Sequence, residues 1–198
     1  FFLGYEICSS TNSCDEWELP DFHSISNINI TNNNCAGIYL REVHSVDLSN
    51  LLINDNSGIG LLIWGGYGNG DYNNASINIH DNVITSNDTT GLIISNNHPN
   101  IILSNTEISH NGYTGLHLQG EPALQISNLS IIDNLNSGIV IDGSDYYGNS
   151  LFPRSMLIEN TLISGNGEVA AYGGGIYCTR TLIDDPLVLN NVIIRNNQ

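Results

Sequence analysis

The segment NTEISHNGYTGLHL (residues 105–118) carries the pattern that decides the fold, and NLSIIDNLNSGIVI (128–141) repeats it. Each copy opens with Asn and has Ile three residues later and Asn after three more. Gly then follows, with two apolar residues separated by one position. Residues that alternate in polarity point to opposite faces of a β-strand, so each copy holds short strands separated by Asn and Gly turns. This pattern favours β-structure and excludes a helical bundle.

The same pattern occurs seven times, and a central isoleucine marks each copy. These isoleucines are Ile30, Ile53, Ile84, Ile108, Ile131, Ile163 and Ile194, at spacings of 23, 31, 24, 23, 32 and 31 residues. A unit near 23 residues with insertions in some copies is typical of a solenoid, whose repeats pack on their neighbours. Three strands per copy, stacked in register, predict one parallel β-solenoid domain over residues 1–198, with about seven to eight coils.

Asn stands three residues after every anchor, and we expect these side chains to stack as a hydrogen-bonded ladder. The ladder residues are Asn33, Asn56, Asn87, Asn111, Asn134, Asn166 and Asn197. Asn, or Asp at position 81, also stands three residues before each anchor, and Asn tolerates the left-handed angles that sharp bends require. A Gly column, from Gly37 to Gly138 and displaced to Gly175 in the sixth copy, predicts a corner with positive φ or close backbone approach. We expect these columns to build the fold and to do no chemistry.

The pattern N-x-x-I-x-x-N-x-x-x-G-I-x-I resembles the right-handed parallel β-helix repeats of the pectate-lyase-like superfamily. The sixth copy, NTLISGNGEVAAYGGGIYC (160–178), is similar to repeats of polymorphic outer-membrane and other bacterial surface proteins. The resemblance implies an all-β, right-handed, single-stranded parallel β-helix over essentially the whole chain. It specifies architecture better than activity, since that superfamily contains lyases, glycoside hydrolases, epimerases, phage tailspikes and autotransporter passengers.

The charge balance limits the partners of the chain. Four Lys and Arg residues, all of them Arg, stand against 20 Asp and Glu, which gives a formal net charge of −16. Such a surface repels phosphate backbones and anionic lipids, so the charge disfavours nucleic-acid and membrane-surface binding. No apolar run is long enough to span a membrane. The composition favours an extracellular or cell-surface protein, and both ends of the chain resemble interrupted coils, which predicts a segment of a longer β-helix.

The long insertions all follow the third strand of a coil, so we expect them to emerge along one edge of the rod. Two of them, WGGYGNGDYNN (64–74) and DGSDYYGNSLF (142–152), place aromatic rings beside Asp, Asn and Gly. Aromatic faces stack on sugar rings while polar groups bind hydroxyls, although the same rings can instead cover the flank of the rod. The candidate glycan-binding residues are Trp64, Tyr67, Asp71, Tyr72, Tyr146 and Tyr147.

Catalytic signals are sparse, which favours a non-enzymatic protein. The superfamily's lyases generally use an Arg or Lys base with an Asp cluster that holds Ca²⁺, and its hydrolases use paired Asp. Here Lys is absent and the four Arg residues share no motif. Ca²⁺ is the one candidate cofactor, and solvated loop carboxylates are the alternative for its four candidate ligands: Asp142, Asp145, Asp184 and Asp185.

Cysteines and sequons suggest modifications typical of secreted proteins. Cys8 and Cys14 are the easiest disulfide pair, whereas Cys178 falls in an inward column and is expected to be a buried thiol. Among the Asn-x-Ser/Thr sequons, Asn74 in a loop is the candidate glycosylation site, because a glycan at Asn87 or Asn128 would disrupt a stacked column.

A last column alternates outward after the Gly corner and is mainly apolar. We call it the assembly stripe; it consists of Tyr39, Leu62, Ile93, His117, Val140 and Tyr177. A stripe of this kind indicates a buried contact, made either with another molecule or with the chain's own loops. The sequence therefore predicts a structural or adhesive rod whose partners are other copies of itself or neighbouring surface proteins, and it disfavours an ice-binding face. The alternatives are a carbohydrate-active β-helix (lyase, hydrolase or tailspike-like depolymerase) and a non-catalytic glycan-binding module.

Overall fold

The computed structural model describes residues 23–41, 43, 45–64, 76–95, 100–120, 124–142, 156–169, 173–179 and 187–198. Every element in these ranges is a short β-strand, and the strands form three sheets. Each of the first six described coils contributes one strand to each sheet in turn, the last contributes one to two of them, and every strand pairs in parallel with its equivalent on the neighbouring coil. The predicted parallel β-solenoid is confirmed.

The strands repeat in the order sheet 1, sheet 2, sheet 3. Sheet 1 contains β1 (His23–Ser26), β4 (Ser45–Ser49), β7 (Ser76–His80), β10 (Asn100–Ser104), β13 (Leu124–Ser127), β16 (Met156–Glu159) and β19 (Leu187–Asn190). Sheet 2 contains β2 (Asn29–Thr31), β5 (Leu52–Asn54), β8 (Val83–Thr85), β11 (Glu107–Ser109), β14 (Ser130–Ile132), β17 (Leu162–Ser164) and β20 (Ile193–Arg195). Sheet 3 contains β3 (Ile38–Arg41), β6 (Leu61–Trp64), β9 (Leu92–Ser95), β12 (Leu116–Gln119), β15 (Ile139–Asp142) and β18 (Ile176–Cys178).

The core is a set of aliphatic stacks that run along the rod between the three sheets. The anchor of one coil lies directly opposite the anchor of the next, as Ile108 does with Ile84 and Ile131. These anchors are fully buried, as are the inward residues of sheet 3 such as Leu116 and Ile139. Burial of apolar area, at about 25 cal/mol per Å², is therefore the main favourable term, and it recurs with every coil.

The seven ladder residues form a continuous series of side-chain hydrogen bonds. The Nδ2 group of each of the first six donates to Oδ1 of the ladder Asn on the next coil, at 2.8–3.0 Å. The same Oδ1 also accepts the backbone N–H of the ladder Asn on the preceding coil, at 2.9–3.2 Å. From the second coil onwards, Nδ2 donates in addition to the carbonyl of the preceding anchor isoleucine. Each interior amide thus satisfies its polar atoms inside the core, where an unpaired group would be costly.

The Gly column is required for close packing. None of the column residues has a positive φ. A Cβ on Gly91 would instead lie 2.6 Å from Cγ2 of Ile108 and 2.7 Å from Nδ2 of Asn111. Of the two explanations that the sequence allowed, close approach is therefore the correct one.

Among the described residues, left-handed backbone recurs at two equivalent positions from coil to coil. The first is the predicted column three residues before each anchor, with φ between 47° and 58°. The second immediately precedes each ladder Asn, and it consists of Asn32, Asp55, Ser86, His110, Asp133, Gly165 and Asn196. The ladder Asn residues themselves are not left-handed, so the expectation that Asn provides the bend holds at the first corner.

An inward position at the first corner was missed in the sequence. It carries Leu51, Asn82, Thr106, Leu129 and Thr161 on successive coils, all buried. Oδ1 of Asn82 accepts the backbone N–H of Leu51 at 2.9 Å, and its Nδ2 donates to the carbonyl of Leu48 at 3.0 Å. Because Leu, Asn and Thr all occur at this position, no single residue type marks the column in the sequence.

The last described coil is less buried than the others. Leu189 and Ile194 occupy inward columns yet are 46% and 47% exposed. Cys178 is exposed as well, so the expected buried thiol is wrong. Its strand β18 is the edge of sheet 3, and no described strand covers it there.

Across the described ranges we find no helix long and apolar enough to cross a membrane.

Candidate functional site

The outer face of sheet 3 is the candidate functional surface, because the strands of this sheet are the ones that the long insertions follow in the sequence. Two columns of side chains point outward from it. The first is the assembly stripe, whose members lie opposite one another in register from Tyr39 to Tyr177. The second column lies two residues further along the chain, at the ends of the same strands or, for Thr179, just after β18; it consists of Arg41, Trp64, Ser95, Gln119, Asp142 and Thr179.

All six stripe residues are half-buried. They therefore differ from Ile102, an outward residue of sheet 1 that is 43% exposed. Leu62 and Ile93 are direct neighbours on β6 and β9, and Ile93 is in turn the neighbour of His117 on β12. The stripe is thus a continuous, mainly apolar strip with one imidazole near its middle.

His117 is the one ionisable group near the middle of the stripe. Burial lowers its pKa, and the nearby carboxylate of Asp142 only partly opposes that effect. The imidazole is therefore neutral at neutral pH. Its Nε2 atom is buried and has no hydrogen-bond partner among the described residues. A buried polar atom without a partner costs about 1–3 kcal/mol, so this atom is a point where an external group could add a hydrogen bond.

The second column is polar at its centre. Oγ of Ser95, which is fully buried, donates to Oε1 of Gln119 at 3.1 Å. Oγ1 of Thr179 donates to Oδ1 of Asp142 at 3.1 Å. Polar groups in one column and apolar groups in the other give this face the mixed chemistry that a carbohydrate surface requires.

Most of the predicted ligand residues lie outside the described part of the chain. Of the glycan candidates, Trp64 lies on the outer face of sheet 3, while Tyr67, Asp71, Tyr72, Tyr146 and Tyr147 fall outside the described ranges. Of the Ca²⁺ candidates, only Asp142 is described; Asp145, Asp184 and Asp185 are not. Cys8, Cys14 and Asn74 are also outside them. Within the described residues no three His, Cys, Asp or Glu side chains are grouped so that they could hold a metal ion.

A second polar cluster lies on the outer face of sheet 1 and was missed in the sequence. Oδ1 of Asp47 accepts a hydrogen bond from Nδ2 of Asn78 at 2.7 Å and lies 3.2 Å from Nε2 of His80. Nδ1 of His80 lies 2.7 Å from Oδ2 of Asp81. The hydrogen bond to Asp81 raises the pKa of His80 against the effect of burial, and Asp47 adds to the rise. The same contact lowers the pKa of Asp81. The one visible signal was Asp81 in a column that is otherwise Asn.

Comparison with known proteins establishes the family. The family model described as "right handed beta helix region" matches residues 19–198. The chain belongs to this family. Its right-handedness, which the resemblance implied, is thereby confirmed together with the parallel β-helix architecture.

Among solved structures, this β-helix is similar to the A-module of mannuronan C-5 epimerase AlgE6 from Azotobacter vinelandii. The match has a TM-score of 0.66 at 17% sequence identity, and it covers 89% of this chain. The chain spans 55% of the length of that module. At this identity the likeness shows the fold alone. A search of curated proteins found no match.

Proposed function

We propose that this β-helix is a structural and adhesive rod of an extracellular or cell-surface protein, and that the assembly stripe is its contact face. The supporting observation is the register of the stripe. Six outward residues on six successive strands lie directly opposite one another, and five of them are aliphatic or aromatic. Stacked at about 4.8 Å per coil, they extend over about 24 Å.

The electrostatics of the stripe suit an apolar contact. The lowered pKa of His117 leaves its imidazole neutral, so the stripe carries no charge at neutral pH. The rest of the chain is strongly acidic, with a formal net charge of −16. Two copies therefore repel one another at long range and attract at the stripe. We infer a lateral contact between copies that strengthens as salt screens the repulsion.

Replacing Leu62 or Ile93 with Glu is expected to weaken self-association by at least about tenfold, since a charge would be buried in the contact. The matched control is Ile102→Glu, the same type of change at an outward position on sheet 1. Light scattering and electron microscopy at low and high salt provide the measurement, with circular dichroism to verify folding. A wild-type monomer under all conditions, or folded Leu62 and Ile93 variants that associate like the wild type, would overturn the contact.

Carbohydrate binding is the second candidate, and the unpartnered Nε2 of His117 favours it. A neutral imidazole can exchange a hydrogen bond with a sugar hydroxyl, and Trp64 lies two coils away on the same face. The structural neighbour named as an epimerase is consistent with a carbohydrate ligand. The net charge disfavours a polyanionic glycan, so a neutral polysaccharide is the better candidate.

For this candidate, calorimetry with neutral polysaccharides is expected to show saturable binding. His117→Leu should weaken the affinity by about tenfold, because it removes about one hydrogen bond to the sugar. The control is His110→Asn, at an exposed left-handed position that Asn tolerates. Analysis of chain length in the same samples separates an enzyme from a binding module. Binding that is absent, or that is equal in the two variants, contradicts a sugar site at His117.

A further inference from the structure

Two rungs of the ladder are followed directly by glycine, at Asn111–Gly112 and Asn166–Gly167. The fold demands both glycines. A Cβ on Gly112 would collide with the backbone carbonyl of Asp88 on the preceding coil. Gly167 has a φ of 100°, and a Cβ there would lie 2.6 Å from the carbonyl oxygen of Gln198. The other described rungs are followed by larger residues, such as Leu135 after Asn134.

An Asn–Gly pair is chemically labile because glycine has no side chain to hinder cyclisation. The backbone nitrogen of glycine attacks Cγ of the Asn side chain, a new C–N bond forms, and the bond from Cγ to Nδ2 breaks. The proton of the glycine N–H passes to the amide nitrogen, which leaves as ammonia, and a succinimide remains. Water then opens the ring at either carbonyl, which gives aspartate or isoaspartate. Water is the only co-reactant.

The folded β-helix blocks both reacting groups at each pair. The N–H of Gly112 donates to the carbonyl of Asn87 at 2.8 Å, and that of Gly167 donates to the carbonyl of Asn134 at 3.1 Å. The two side-chain amides are buried and fixed between neighbouring rungs. Attack therefore requires the coil to open and break several hydrogen bonds at once.

We propose that Asn111 and Asn166 convert to aspartate or isoaspartate only when their coils unfold, and that this modification prevents refolding. An aspartate at position 111 has no Nδ2, so Oδ1 of Asn134 and the carbonyl of Ile84 lose a donor. Its carboxylate would be buried facing those two oxygens, without a counter-charge. An isoaspartate lengthens the backbone by one methylene and displaces the register of the following strand. Unfolding of these coils thus becomes irreversible through the chain's own chemistry.

Peptide mapping by mass spectrometry tests this proposal on the unmodified chain, after incubation at mildly alkaline pH with and without guanidinium chloride. In denaturant we expect Asn111 and Asn166 to convert at least about tenfold faster than Asn134, whose Leu135 hinders cyclisation. In native buffer we expect no measurable conversion at any of the three. Asn134 is the internal control, since it occupies the same ladder.

The second half of the proposal is tested by removing the denaturant at intervals and separating soluble from aggregated chains. We expect at least about tenfold fewer converted chains in the soluble fraction than in the aggregate, since each carries a buried charge or an altered register. If Asn111 converted in native buffer as fast as in denaturant, the claim that the folded coils protect it would be wrong. Converted chains that refold as well as intact ones would overturn the irreversibility.

Discussion

Replacing Gly91 with alanine is expected to destabilise the β-helix by about 3 kcal/mol, because the added methyl group has no space. It would lie 2.6 Å from Cγ2 of Ile108, 2.7 Å from Nδ2 of Asn111 and 2.9 Å from the carbonyl of Gly115. Ile108 is fully buried in an aliphatic stack, and Asn111 is held by ladder hydrogen bonds. None of these neighbours can move without disturbing the packing of an adjacent coil, so the substitution destabilises both coils.

Gly173→Ala is the matched control, since the one contact that a Cβ there makes with a described residue is with the carbonyl oxygen of Ile176, at an ordinary distance of 3.5 Å. Its stability should change by no more than about 0.5 kcal/mol. Denaturant unfolding gives the difference in free energy, and hydrogen exchange locates it. In Gly91→Ala, protection should fall first at the amides of Gly91 and Leu92, which bond to the next coil. Equal stability of the two variants would show that Gly91 is not held in close contact.

The fold could be predicted from the repeat because each column that keeps one residue type from coil to coil has a single physical requirement. The Asn amide both donates and accepts along the ladder, and a Cβ at the Gly column would collide with Cγ2 of residues such as Ile108. Columns that accept several residue types were missed. The left-handed position before each rung accepts Ser86 and His110 as well as Asn32, so its residue type shows no pattern. Cys178 was placed in the core because a repeat predicts the average coil, and β18 is an edge strand.

The candidate site could be predicted only in outline, because outward side chains are not constrained by the repeat. The alternation after the Gly column placed the assembly stripe correctly on one face. The contacts between Ser95 and Gln119 and between Asp47 and His80 join residues 24 and 33 positions apart. Their partners depend on the length of each insertion, which shifts the numbering from coil to coil. Such pairs become visible only when the coil register is known.

Removing one interior rung is expected to be as damaging as filling the Gly column. Asn87→Ala should lower the free energy of unfolding by about 3–5 kcal/mol, since each buried group left without a partner costs about 1–3 kcal/mol. Oδ1 of Asn87 accepts from Nδ2 and from the backbone N–H of Asn56, and both donors would lose their acceptor. The carbonyl of Ile53 would lose its bond from Nδ2 of Asn87. The control is Asn29→Ala, at an exposed outward position of β2, which should change stability by no more than about 0.5 kcal/mol.

Asn87→Asp separates the loss of hydrogen bonds from the loss of shape. The carboxyl group keeps the one oxygen that accepts both hydrogen bonds from Asn56, but its other oxygen faces Oδ1 of Asn111 and the carbonyl of Ile53, to which Nδ2 of Asn87 donates in the wild type. Burial beside two acceptor oxygens raises its pKa in the folded chain above the unfolded value near 4. The folded state then binds more protons, so stability should fall as pH rises between the two pKa values and stay low above them. Denaturant unfolding from acid to neutral pH, compared with wild type, measures this slope. A pH-independent difference between the two proteins would show that Nδ2 of Asn87 contributes nothing to the ladder beyond its volume.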